Sequence, residues 1–268
     1  WPKPLSYDRI TTILYQEAHI LRFAQISDCH LYRDKTALHY GANVYQNLCC
    51  VLERIKSIAT IEFIVFTGDL TQDHSHASYQ NFTDAIKETQ ITLPIYFLAG
   101  NHDEPKLLSE YLSGMPFQST KVLNNQYWQI QLLSSKSATP AGEVSEEELK
   151  QLIACVDPNK HQFILMHHHP VDVGYFIDKH GLTNKNQFYQ ALNKIDKVNA
   201  VACGHIHNAL ALNIETNEKT IPLFTCPATS IQFDQMASTV ENSGKPAGFR
   251  IFDLADDGQV NSQVVFID

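Results

Sequence analysis

Apolar positions recur along the chain with two spacings. Across residues 43–56 they fall at Val44, Leu48, Val51, Leu52 and Ile55, which is one face of a helix. Residues 75–89, 104–112, 145–154 and 185–195 read as further helices. The third of these four opens on Ser145, a capping residue, with an acidic first turn behind it. Between the helices stand short apolar runs at 21–27, 63–67, 94–99, 163–166 and 200–203, and an alternating run at 127–133. Continuous apolar runs of this length fit strands buried on both faces. Beyond Asn208 the helical period stops, and β-like runs follow at 210–214, 221–226, 248–254 and 259–266. Strands alternating with helices and then a β-rich tail predict an α/β layered sandwich with a mixed sheet. No repeat or linker divides the chain, so residues 1–268 are expected to form a single domain. It carries an N-terminal extension over 1–20 and a β-rich part over 208–268. The most loop-like stretch, 134–144, falls between two elements of that domain.

Composition narrows the partners. Twenty Lys and Arg stand against 29 Asp and Glu, a net charge of −9. That argues against a protein that binds nucleic acid by covering its phosphates. It leaves a phosphate ester possible as substrate, because bound cations can reverse a local field. The longest apolar stretches are far too short to span a bilayer, so no membrane association is expected. No basic segment followed by an apolar run opens the chain, so no signal peptide is expected. The six cysteines contain no C-x-x-C pair and are read as reduced thiols, consistent with a cytoplasmic protein.

The unusual residues follow the apolar runs. After the first come Asp28-Cys29-His30. After the second come Gly68-Asp69, with Asp73 four positions on. After the third come Gly100-Asn101-His102-Asp103, after the run at 163–166 His167-His168-His169-Pro170, and after the run at 200–203 Gly204-His205-Ile206-His207. Taken singly these have ordinary readings: Asp-x-His is often a turn, Gly-Asp is common, and a histidine run can be a solvated loop. Five such groups in succession point to a metal site at the carboxyl ends of strands, where open α/β sheets bind ligands. In Gly-Asn-His-Asp the glycine is expected to take an unusual backbone angle while three polar side chains crowd one turn. Carboxylates, imidazoles and one amide oxygen suit borderline-hard first-row ions such as manganese, iron or zinc. There are too many ligands for one ion, so two ions sharing a bridging carboxylate is the natural arrangement.

These groups, in this order, resemble the signature of the calcineurin-type metallophosphoesterases. The match runs from Asp28 to His207. Within that superfamily the chain is most similar to the bacterial class III 3′,5′-cyclic AMP phosphodiesterases, through the stretches at 26–31, 67–73, 167–170 and 203–207 and the tail at 225–233. Cys29 departs from the family's usual threonine or serine and is expected to point away from the metals. The resemblance implies an αββα sandwich with two mixed sheets and a dinuclear metal site at the strand ends. It implies two metal ions per chain, iron and manganese, with zinc, magnesium or cobalt as alternatives. Asp28, His30 and His207 are implied as ligands of one ion and Asn101, His167 and His205 of the other, with Asp69 bridging. His168 is the fallback for His167. His102 is implied as the catalytic residue, with His30, Asp69, Asn101 and His207 also facing the substrate.

The implied activity is hydrolysis of 3′,5′-cyclic AMP to 5′-AMP by a metal-bridging hydroxide, with His102 protonating the leaving oxygen and Asp103 or Asp73 orienting its ring. The alternatives are the same metal chemistry on another phosphodiester, a nucleotide or a phosphomonoester, or a metal-bound scaffold without catalysis. The implied partner is a small cyclic nucleotide, and the protein is a monomer or homodimer. Candidates for the base pocket are Tyr32, His39, Tyr40, Asn43 and residues 229–233.

Overall fold

A computed structural model describes residues 20–267. In chain order the elements are β1 (Ile20–Ile26), β2 (Leu38–His39), β3 (Ala42–Asn43), α1 (Val44–Lys56), β4 (Phe63–Phe66), α2 (His76–Glu88), β5 (Ile95–Phe97), α3 (Pro105–Tyr111), β6 (Phe117–Gln118), β7 (Val122–Asn124) and β8 (Trp128–Leu132). There follow α4 (Glu146–Ala154), β9 (His161–Met166), a 3₁₀ helix (Phe176–His180), α5 (Lys185–Asn193), β10 (Val198–Cys203), β11 (Ala211–Glu215), β12 (Thr220–Thr225), β13 (Gly248–Ala255) and β14 (Val260–Phe266). The expected extension over 1–20 lies outside the described residues, apart from Ile20.

Two six-stranded sheets form, in the orders β14-β13-β1-β4-β5-β6 and β11-β12-β10-β9-β8-β7. Both are mixed. β1, β4, β5 and β6 run parallel, β13 pairs antiparallel with β1, and β14 pairs antiparallel with β13. In the second sheet β8, β9, β10 and β12 are parallel, with β7 and β11 antiparallel at the edges.

The period-two alternation of each strand decides the layers. Phe23 of β1, Phe163 and Leu165 of β9, and Ala200 and Ala202 of β10 share one apolar cluster between the sheets. Phe23 stacks on Phe63 at 5.1 Å and meets Phe163 edge-on at 5.6 Å, so one ring joins both sheets. The alternate residues face outward. Ala24 and Ile26 pack with Leu48, Leu52 and Phe82 of α1 and α2. Ile164, Met166, Val201 and Cys203 pack with Leu152, Phe188 and Leu192 of α4 and α5. The result is the expected αββα sandwich. A fourth, smaller apolar cluster lies outside these layers and contains Tyr175, Ile177, Ile206, Ile231 and Phe233.

Capping residues set the helix starts. Asn43, Ser75 and Ser145 each accept a hydrogen bond from a backbone N–H in the first turn. All six cysteines are free thiols, and Cys29 is buried in the helix-facing core. Among the described residues no helix is long and apolar enough to cross a membrane.

Candidate metal centre

Parallel β1, β4 and β5 bring three carboxyl ends side by side, and parallel β9 and β10 bring two more. The loops that leave these ends meet where the sheets adjoin. Asp28, His30, Asp69, His167, His205 and His207 are all buried there. Backbone geometry is strained at the same place. Among the described residues eight non-glycines have positive φ, and five of them are Asp28, His30, Asp69, His205 and His207, between +47° and +68°. Left-handed backbone costs a histidine about 1–2 kcal/mol, so the fold holds these conformations against their preference.

The glycines act by closeness. Gly100 does not take the unusual angle expected of it, since it is absent from the positive-φ residues. A Cβ there would instead lie 2.2 Å from Asp69 Oδ1 and 2.7 Å from His167 Cε1. A Cβ on Gly204 would lie 2.0 Å from Ser27 Oγ and 2.9 Å from Asp28 Oδ2. Both glycines let the loops approach each other.

Hydrogen bonds fix the imidazole protons. Nδ1 of His30 faces Gln72 Oε1 at 2.8 Å, Nδ1 of His167 faces the Thr67 carbonyl at 2.7 Å, and Nδ1 of His207 faces the Ile231 carbonyl at 2.8 Å. These oxygens only accept, so each Nδ1 carries the proton and each Nε2 is left to the cluster. His30 Nε2 and His207 Nε2 are 3.0 Å apart, and His207 Nε2 is 3.5 Å from Asp28 Oδ1. His167 Nε2 lies 3.1 Å from Asn101 Oδ1, 3.5 Å from Asp69 Oδ2 and 3.2 Å from His205 Nδ1. Lone pairs this close repel unless a positive charge sits among them, so the donor set fits cations. Asp28, His30 and His207 form one group within ligating reach, and Asp28, Asp69 and His167 another that overlaps it.

The electrostatics agree. Burial pushes His30 and His205 well below the ordinary histidine range and His207 down to about 3. Burial also pushes Asp28 up to about 7. Burial opposes a charge on His167 as well, but Asp69 outweighs it and raises this imidazole to about 9. In the absence of an ion, His167 draws the positive charge the carboxylates require.

The three histidines after β9 have different surroundings. His168 lies within reach of His167 and His205, but its Nδ1 faces Ser135 Oγ at 2.8 Å and its Nε2 faces the Pro140 carbonyl at 3.2 Å. Both nitrogens are taken, and His168 has none to offer. His169 turns toward Asp178, at 3.3 Å.

His102 reaches the cluster differently. Its backbone N–H donates to Asp69 Oδ1 at 2.8 Å, and its ring lies edge-on to His30 at 4.9 Å. Neither Asp103 nor Asp73 orients that ring. Asp103 accepts backbone N–H bonds from Asp69, Leu70 and Gly100 and so ties two of the loops together. Asp73 accepts from the Arg33 and Ser75 backbone N–H groups. His74, a residue with no motif to announce it, donates from Nδ1 to the His102 carbonyl at 2.9 Å and stacks on the His102 ring at 5.8 Å.

A cavity of about 250 Å³ opens over the cluster. His30, Asp69, Asn101, His102, His205 and His207 line it, while Asp28 and His167 are fully buried and do not. The rest of the lining includes Phe176, Ile177, Lys179, His180, Phe233 and Val240. Of the base-pocket candidates only the stretch 229–233 contributes, through Phe233. Tyr32 and His39 bond to each other behind His30, Asn43 is spent as the α1 cap, and Tyr40 points to solvent.

The calcineurin-like phosphoesterase family model matches residues 21–209. A probable cyclic nucleotide phosphodiesterase of Colwellia psychrerythraea is 53% identical over 253 residues, which cover 92% of this chain and 95% of that protein. The 3′,5′-cyclic adenosine monophosphate phosphodiesterase CpdA of Escherichia coli is 33% identical, with 95% and 92% covered. Among solved structures, a dimetal phosphatase from Danio rerio superposes with a TM-score of 0.59 at 13% identity, covering 92% of this chain and 99% of that one, a likeness of fold. With the family model spanning the whole stretch that builds the cluster, the chain belongs to the calcineurin-like phosphoesterases.

Proposed function

We propose that the protein is a metal-dependent phosphodiesterase that hydrolyses 3′,5′-cyclic AMP to 5′-AMP. The observation that carries the reading is the cluster of imidazoles whose Nδ1 protons are bound elsewhere, leaving their Nε2 atoms crowded against one another and against two carboxylates. The substrate rests on the relatives, two of which carry cyclic-nucleotide phosphodiesterase names at 53% and 33% identity.

Asp28, His30 and His207 would hold one ion, and Asn101, His167 and His205 the other, with Asp69 between them. When bound, two such cations hold the phosphate and acidify a water, so that hydroxide is available near neutral pH. Iron and manganese suit this donor set, as do zinc, magnesium and cobalt. Each ion would then draw ligands from both sheets, and the single-domain reading is supported by the β-rich part after residue 208, whose strands complete those same two sheets.

His102 borders the cavity without belonging to either ligand set, and is the proton donor to the leaving ribose oxygen. Burial holds its ring below the ordinary histidine range, and a phosphodiester anion beside it favours the charged, donating form. Its backbone N–H orients Asp69, so the same residue positions the bridging carboxylate.

The test is a substrate panel on metal-reconstituted protein, compared by kcat/KM. It contains 3′,5′-cyclic AMP, 2′,3′-cyclic AMP, an aryl phosphodiester and an aryl phosphomonoester. The reading expects 3′,5′-cyclic AMP to exceed the other cyclic nucleotide and the monoester. Preference for the monoester would replace it with a phosphatase.

A further inference from the structure

The cavity has two unlike sides. The polar side is the cluster. The opposite side is apolar and aromatic, and comes from two loops far apart in sequence: the 3₁₀ helix after β9, and the loop before β13. A phosphodiester seated on the cluster has to direct its substituent away from the charged side chains, and the apolar side is where the cavity continues.

We propose that this side is the nucleobase subsite, with Phe176 as the stacking face and Lys179 as the cation at its rim. The proposal rests on the cyclic-nucleotide reading above and adds the residues that select the base. Phe176 is half-buried and sits on the cavity, tilted against Phe233 at 5.2 Å and 54°. Phe233 in turn lies flat on His207 at 3.8 Å and 8°. The aromatic wall therefore stands directly on a residue of the cluster, and a base held there sits at a fixed distance from the phosphate. Lys179 Nζ lies over the Phe176 ring, 5.8 Å from its centre, and lines the same cavity with His180, so a stacked base would take the ring face and leave the ammonium at the base edge. A lysine has donors only, and every purine offers ring-nitrogen acceptors at its edge. An aliphatic substituent such as glycerol would leave the aromatic face wet and the lysine unused.

The wall is preorganised. Tyr175 OH donates to the Ile206 carbonyl at 2.6 Å, and Asn208 Nδ2 donates to Tyr175 OH at 3.2 Å. These bonds fasten the start of the 3₁₀ helix to the Gly-His-x-His loop. Asp178 accepts the Val173 and Gly174 backbone N–H groups at 2.7 and 2.8 Å and closes the turn that presents Phe176. A wall held this way binds without first being ordered.

The test compares 3′,5′-cyclic AMP with the abasic analogue, 1-O-methylribose 3′,5′-cyclic phosphate, which keeps the same phosphate and leaving oxygen. Wild-type protein should prefer cyclic AMP. In Phe176→Ala the loss of kcat/KM on cyclic AMP should exceed the loss on the abasic ester by roughly 10- to 100-fold, the worth of one stacked base. The change should fall mainly in KM. Phe176→Trp should restore the preference, and Lys179→Gln should lower it several-fold. Equal loss on both esters would make Phe176 a structural prop, and no loss on either would empty the subsite; each overturns the proposal. Wild-type protein that hydrolyses both esters equally would overturn it too, with the cyclic-phosphate reading intact. Wild-type protein inactive on both esters but active on an aryl diester would remove the cyclic-nucleotide reading, and this proposal with it.

Discussion

The two sides of the cavity are built by opposite rules. The cluster side comes from five short groups, each within a few residues of a strand end and mostly buried; three of them are strained at the backbone, and His167 and His207 are fixed by carbonyls. The aromatic side comes from ordinary apolar residues on two loops more than fifty positions apart, partly exposed and joined by ring contacts. The first arrangement tolerates few substitutions, because ligation needs particular atoms at particular places. The second needs only a flat apolar surface.

Substitutions can break that contrast, and the largest effect should come from its polar side. Asp69→Ala and Asn101→Ala should lose bound metal and at least about three orders of magnitude in activity. Elemental analysis with kinetics checks this, and two ions still bound per chain in Asp69→Ala would end its bridging role. Next comes the loop after β9. His167→Ala should lose one ion, while His168→Ala should keep both and lose about 1–3 kcal/mol of stability through its bonds to Ser135 and Pro140. Metal content with thermal melting separates them; an ion lost only from His168→Ala would shift the ligand by one position.

His102→Ala should keep both ions and lower turnover on cyclic AMP by roughly 100- to 10,000-fold. The loss should shrink on an aryl diester, whose leaving group needs little protonation. Equal losses on both substrates would give His102 a purely positioning role. The smallest effect should be at His169, which pairs with Asp178 at 3.3 Å and stacks on the His205 ring at 5.5 Å without directing a nitrogen at the cluster. His169→Ala should stay within several-fold of wild type on an aryl diester, and a loss as large as that of His102→Ala would erase the distinction among these histidines.

Much of the fold was legible because local signals agreed. Asn43, Ser75 and Ser145 mark helix starts by side-chain chemistry that operates within one turn, and the structure begins each helix at the next residue. The apolar runs at β1, β4, β9 and β10 are strands because both faces are buried. The run at 94–99 becomes β5, but the short strands β2, β3 and β6 and the edge strand β7 carry no such signal, since two or three residues become a strand only through a partner that sequence does not name. The cluster residues were visible as repeated chemistry at one kind of place. Phe176, Lys179 and Val240 were not, because an apolar or basic residue on a loop looks the same whether it faces a cavity, a core or solvent. The nearest sequence signal was the tail at 225–233, which ends on Phe233. His74 escaped notice for a related reason: its contact with His102 depends on how two loops meet.

His30 and His207 stand 177 positions apart and leave different sheets, yet their Nε2 atoms are 3.0 Å from each other. An unfolded chain has no local means of reassembling such a pair, so an ion held there binds only the folded state. Its binding energy then counts in full toward folding, about 2.7 kcal/mol for an ion at 100 times its Kd. The melting temperature becomes a readout of free metal concentration, and chelation lowers it even where no activity is assayed. Synthesis imposes the same order in time. The first strand leaves the ribosome carrying Asp28 and His30 long before His207 exists, so loading the centre belongs to the last stage of folding.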